Sequence, residues 1–259
     1  MSFASDTMGI PVIDTPADVQ SNDMRGYEQR DRSVDPTGGF AKPFTLKAME
    51  RQEIKERAEA KERNKERTFD IMAQRGVKPL NQGSTPFCWA NGATDCVQIA
   101  RVLSGAEHVP LSPASVAGPI KNYSYEGGWG IQAVKYGSEH GWCPQSLWPA
   151  NEAKKKYDTE ESRAERQKYA IAPDGWLDLP EGDWMAVFTC LVLGFPCTLA
   201  HMEWQHLVTA IDVVVLKNGE LAALCRNSGY GRDSTGHSIV KESFGRPDEA
   251  LAVQMVTGG

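Results

Sequence analysis

A chain of 259 residues is long enough to bury a full core, as one large domain or as two lobes. The formal net charge of −6 argues against a polyanion, whether nucleic acid or an anionic membrane, as the default partner. Six scattered cysteines, with no Cys-x-x-Cys pair, form neither a disulfide framework nor a zinc pattern, and they favour a reducing compartment.

The opening segment, "MSFASDTMGIPVIDTPADVQ", has no basic start and no long apolar region, so it does not read as a signal peptide. Residues 1–46 are polar and rich in Asp, Gly and Pro. They read as an extended arm that cannot build its own core and so needs something to hold it. Residues 47–67, "KAMERQEIKERAEAKERNKER", are dominated by charged helix formers with almost no apolar stripe. The simplest reading is a solvated helix about 30 Å long, used as a spacer. Such a spacer could carry the arm to a neighbouring chain. The alternative is an arm that lies along its own domain.

Globular patterning begins near Thr68. In "NQGSTPFCWANGATDCVQIARVLSG" a polar loop gives way at Cys88 to apolar residues at helical spacing, predicting a helix from Cys88 to about Leu103. A Gly-rich turn, "YEGGWG", precedes a predicted helix near residues 130–139, and the charged stretch 151–168 reads as a surface excursion. The uncharged run at 184–200 is broken by Gly194 and Pro196, so it reads as helix, turn and strand rather than a membrane span. Three strand-like runs follow: "PCTLAHM", a hairpin turning at Asn218-Gly219, and "ALAVQMV". The first half is helical and the second β-rich.

A thiol at a helix start faces exposed N–H groups and the positive end of the helix dipole, both of which favour the nucleophilic thiolate. It needs an imidazole as base and donors for an oxyanion. The N–H of Cys88 and the side-chain amide of Gln82 are the candidate donors. Of five histidines, His108 reads as surface, His140 as a helix cap, and His237 as a loop residue. His206 opens the apolar run "HLVTAIDVVV", a costly place for an imidazole unless it is used; the alternative is a satisfied structural histidine. His201 is the next candidate. Asn227, at the end of "LAALCRN" across the hairpin, could orient His206, or it could be ordinary turn chemistry.

These residues resemble the papain-like cysteine peptidases. "NQGSTPFCWA" resembles the family's nucleophile motif, "YEGGWG" its substrate-binding Gly-Gly region, "QHLVTAI" its catalytic-histidine strand, and "CRNSGYG" its Asn-Ser-Trp-Gly segment. The resemblance implies an α+β fold of two lobes within residues 68–259, helical over about 85–165 and antiparallel β over about 170–257. It implies Cys88 as nucleophile, His206 as acid/base, Asn227 as its orienting partner and Gln82 in the oxyanion hole. Gly127 and Gly128 would line the cleft, with Trp129 and Trp204 near the pocket for the second residue before the scissile bond. It also implies a peptide or protein substrate and no cofactor or metal.

Three departures stand out. Thr85 and Tyr125 occupy the positions of a disulfide common in the family. Gly229, followed by Tyr230, replaces the Trp that shields the Asn–His contact, so that contact is expected to be weaker or wetter. Residues 44–67 lack the usual inhibitory propeptide pattern. The arm therefore leaves a second reading open: a structural or binding component of an assembly, such as a virus particle, joined to its partner through residues 1–46. Neither reading calls for nucleic acid or membrane, and both fit a cytoplasmic or virion-associated protein.

Overall fold

The computed structural model describes residues 9–19, 26–33, 41–171, 174–229 and 232–254. The helices are α1 Arg51–Asn64, α2 Thr68–Gln74, α3 Cys88–Leu103, α4 Ala114–Ile120, α5 Gly130–His140, α6 Glu160–Arg166 and α7 Trp184–Val192. The strands are β1 Val12–Ile13, β2 Lys42–Pro43, β3 Trp176–Asp178, β4 Cys197–His201, β5 His206–Val215, β6 Leu221–Arg226, β7 His237–Lys241 and β8 Glu249–Val253. They form one sheet in the order β1-β7-β6-β5-β4-β8-β3-β2. Every pairing is antiparallel except β1 with β7 and β2 with β3. The class is α+β, as the sequence indicates.

The predicted elements near the site form where expected. α3 runs over the predicted span, and the hairpin of β5 and β6 turns at Leu216–Glu220, where the Gly219 N–H donates to the Leu216 carbonyl. α2, α4 and β7 carried too short a pattern to be read, and β7 places the expected loop residue His237 on a buried strand. α2 is held from far away in sequence. β5 bulges between Ala210 and Asp212, and the Asp212 carboxylate then accepts the N–H groups of Thr68 at 3.0 Å and Phe69 at 2.8 Å.

The charged helix differs from its expected form. α1 is helical over 14 residues rather than 21, and it is not a solvated spacer. Ile54 and Ala58, one turn apart, are buried against α7 and the sheet with Leu191, Val213 and Val215. Two apolar residues suffice because Ala58 allows close approach and the long charged side chains stay at the rim. The Thr68 boundary therefore divides the chain by composition, whereas packing continues across it. Ile10, Ile13, Tyr27 and Ala41 all lie in the core.

α3 is buried along nearly its whole length, between α5, α2 and the sheet. Gly92 makes this possible: a Cβ there would overlap the Leu207 side chain, and the Thr209 hydroxyl reaches the Gly92 carbonyl at 3.2 Å. Three residues further along, Asp95 pairs with Arg226 at 2.9 Å, both almost fully buried. This pair ties the helix that starts at Cys88 to the strand that ends at Asn227. Asp95→Ala would strand the Arg226 cation in the core. We expect it to cost about 3–5 kcal/mol, read as a lower urea midpoint at unchanged slope.

All six cysteines are free and buried, with Cys96 on α3 and Cys225 on β6 as expected. The Cys190 and Cys197 thiols are neighbours across the Gly194–Pro196 turn but remain reduced. Thiol titration of the denatured, non-reduced chain should find all six. Four or fewer would show a disulfide that the fold does not contain.

Candidate active site

Cys88 is the first residue of α3, entered through the loop that carries Gln82. That loop is stitched to the end of β6. The Gln82 N–H donates to the Ser228 carbonyl at 3.0 Å, and the Ser228 hydroxyl donates to Gln82 Oε1 at 2.9 Å. The Gln82 amide Nε2 in turn donates to the Thr85 carbonyl at 2.9 Å, which holds the loop in a tight turn just before the thiol.

His206 opens β5, and its Nε2 lies 2.9 Å from Asn227 Oδ1. The Gly229 N–H donates to the same oxygen at 2.9 Å, which marks it as the acceptor end of the amide. Nε2 therefore carries the hydrogen, and in the neutral ring Nδ1 is the lone-pair nitrogen. Leu207, the next residue, turns its backbone to the Cys88 sulfur. The structure thus brings Gln82, His206 and Asn227 together around the Ser228–Gly229 turn, with the Cys88 thiol beside the Leu207 backbone.

The Asn–His contact is not exposed, contrary to the expectation drawn from Gly229. Asn227 is fully buried and His206 nearly so. Two features substitute for the missing indole. Gly229 itself lies so close that a Cβ there would sit 2.8 Å from His206 Cε1, leaving no room for a side chain. Trp204 packs against the ring on another side, with centroids 4.9 Å apart. Trp204 is buried against His206 and Phe244, so its place is beside the imidazole. Trp129 is half-buried at the start of α5, with the Lys121 ammonium 5.8 Å from its ring. Tyr230 falls outside the described residues.

The chain's own arm runs along the glycine pair. Tyr27 bridges Gly128 in parallel: the Gly128 N–H donates to the Gly26 carbonyl at 2.8 Å, and the Glu28 N–H to the Gly128 carbonyl at 3.0 Å. The Tyr27 N–H donates to the Gln205 carbonyl at 3.1 Å. The glycine pair is required by close approach. A Cβ on Gly127 would stand 2.8 Å from the Gly26 carbonyl oxygen, and one on Gly128 would stand 2.9 Å from the Trp89 ring. Further along, Arg30 makes two 3.0 Å hydrogen bonds to the Asp178 carboxylate, fully buried. With β1 on β7 and β2 on β3, the described parts of the arm are held by this chain's own sheet, not carried away from it.

Burial sets the protonation states of both groups. The Cys88 thiol is pushed up to about 12 by desolvation, against backbone groups of Leu207, Gly26, Trp89 and Cys88 that favour the thiolate. His206 is lowered to about 4, mainly by burial, with the Asn227 hydrogen bond opposing and the Arg232 charge adding. Both groups are neutral in this covered state.

With this geometry in place, comparison with solved structures identifies the fold as that of the papain-like cysteine proteases. Digestive procathepsin L 3 of Tenebrio molitor superposes with a TM-score of 0.57 at 18% identity, covering 69% of this chain and 66% of that one, just under two thirds of its length. Xylellain, a cysteine protease from Xylella fastidiosa, gives 0.57 at 16% identity over 70% of this chain and 83% of its own. The bromelain protease from Ananas comosus gives 0.56 at 20% identity, over 69% and 93%. No family model and no curated protein matches the chain. Among the described residues, no helix is long and apolar enough to cross a membrane.

Proposed function

We propose that the chain is a cysteine peptidase held latent by its own N-terminal arm. The observation that carries this reading is the His206–Asn227 contact at 2.9 Å, on a strand whose next residue faces a thiol at a helix start. In the uncovered enzyme, His206 Nδ1 takes the Cys88 proton, and the thiolate attacks the scissile carbonyl carbon. The Cys88 N–H and the Gln82 amide donate to the oxyanion. The C–N bond breaks as His206 returns the proton to the leaving amine, leaving a thioester. Water, deprotonated by His206, then hydrolyses the thioester and frees the thiol. Asn227 holds the ring with Nδ1 toward the sulfur. Gly127 and Gly128 offer the backbone edge that Tyr27 now occupies, so an extended peptide is the fitting substrate. Trp129, next to Gly128, borders that path.

The second reading is a structural or binding component joined to an assembly through residues 1–46. One observation favours it: the thiol is buried and the arm runs along the glycine pair. Treatment with an epoxide thiol-protease inhibitor, followed by mass spectrometry, tests the proposal. A single adduct on Cys88 once the arm is displaced supports the peptidase. No adduct, with arm displacement verified, leaves the binding component.

A further inference from the structure

Away from the thiol, three potential ligands meet where β4 ends. His201 is the last residue of β4, Glu203 follows two residues later in the turn, and Asp248 leads into β8. Strand pairing fixes this meeting. Ala200 pairs with Glu249 across β4 and β8, and the Asp248 N–H donates to the Ala200 carbonyl at 2.9 Å. One ring nitrogen of His201 and one carboxylate oxygen from each acid lie within 4.8 Å of one another.

Acidic clusters are common on surfaces, but this one contains a group that surfaces do not explain. His201 is fully buried, and neither ring nitrogen has a hydrogen-bond partner. Its ring is enclosed by Trp184, at 5.8 Å between centroids, and by Phe244, edge-on at 4.9 Å. An imidazole buried among aromatics with its polar atoms unmet is costly. The Arg246 backbone faces the ring without completing a hydrogen bond. Neither Glu203 nor Asp248 has an ion-pair partner among the described residues, and Glu181 adds a further carboxylate to the same field. Asp248 Oδ2 is held in place by the Met202 N–H at 2.7 Å. Glu203 is exposed, and so gives the cluster an entrance from solvent.

The geometry points to a structural site for a first-row divalent cation of the zinc type, held by His201, Glu203 and Asp248 with water completing the shell. One imidazole with two carboxylates suits such an ion better than calcium or magnesium, which prefer oxygen alone. Bonds of about 2 Å need the three atoms to draw in by under about 1 Å each, and the exposed Glu203 side chain has that freedom. The Met202 N–H is the support behind Asp248. The ion would clip the turn at 202–205 to β8. That turn carries Trp204 against His206 and offers the Gln205 carbonyl to Tyr27, so the clip would stiffen both the imidazole's wall and the arm's seat.

Calorimetric titration of the full chain with zinc ions is the test, alongside Glu203→Gln and Asp248→Asn. Glu203 is exposed, so its variant should fold normally. We expect one ion per chain, with affinity at least about tenfold weaker in each variant. Substituted cobalt should show visible d–d bands without a thiolate charge-transfer band. Absence of binding, equal affinity in the variants, or a thiolate band placing the metal on a cysteine would each overturn the site.

Discussion

Replacing Gly26 by valine should uncover the Cys88 thiol while leaving the rest of the fold in place. A Cβ at residue 26 would overlap the Pro86 carbonyl, which is backbone and cannot swing away. The segment must therefore lift from the cleft, breaking the bridge between Tyr27 and Gly128. Arg30 and its buried pair with Asp178 lie four residues on and can stay anchored, as can β1 and β2. Once water reaches the sulfur, the desolvation that pushes the thiol up to about 12 is lost. A return to the ordinary range near 8.5 raises the thiolate fraction at neutral pH by roughly 10³-fold. The measurement is the rate of Cys88 alkylation by iodoacetamide, located by peptide mass mapping. A rate unchanged from the wild type would mean that the arm is not what seals the thiol.

Part of this architecture was legible in the sequence because its signals are local. The α3 start at Cys88 follows from a polar loop meeting a helical repeat, and the β5–β6 hairpin from Asn-Gly between apolar runs. These two elements carry Cys88, His206 and, one residue past β6, Asn227, so the places of these residues in the fold follow from local signals. The docking of the arm was not legible. Its contacts run from backbone to backbone, through Gly26, Gly128 and Gln205, and a main-chain hydrogen bond leaves no trace in residue identity. Arg30 and Asp178 are 148 positions apart, and nothing near either announces the other. α1 misled for a related reason. A helix needs only Ile54 and Ala58 to dock, and one isoleucine and two alanines among fourteen residues look like solvent exposure until the partner surface is known. The shielding of His206 is likewise a tertiary solution, with Trp204 and the Gly229 backbone doing what a neighbouring indole would do.

The same architecture makes the nucleophile assignment testable without confusion from latency. In the Gly26→Val background, Cys88→Ala should abolish peptide hydrolysis, a loss of roughly 10⁴-fold or more in turnover. Cys88 is the first residue of α3, and alanine is a better helix former than cysteine, so the helix should not suffer. Removing one buried sulfur leaves a small void, costing on the order of 1 kcal/mol, far less than would unfold the chain. Equal far-ultraviolet circular dichroism and a similar urea midpoint would separate lost chemistry from lost structure. Gln82→Ala in the same background should lose roughly 10²–10³ in turnover. Part of that loss would come through the Ser228 and Thr85 contacts that shape the loop. Those contacts are present with or without substrate, so their loss should also raise KM, whereas the oxyanion contribution falls on kcat alone. Hydrolysis that survives Cys88→Ala at the parental rate would place the nucleophile elsewhere and return His206 and Asn227 to a purely structural pair.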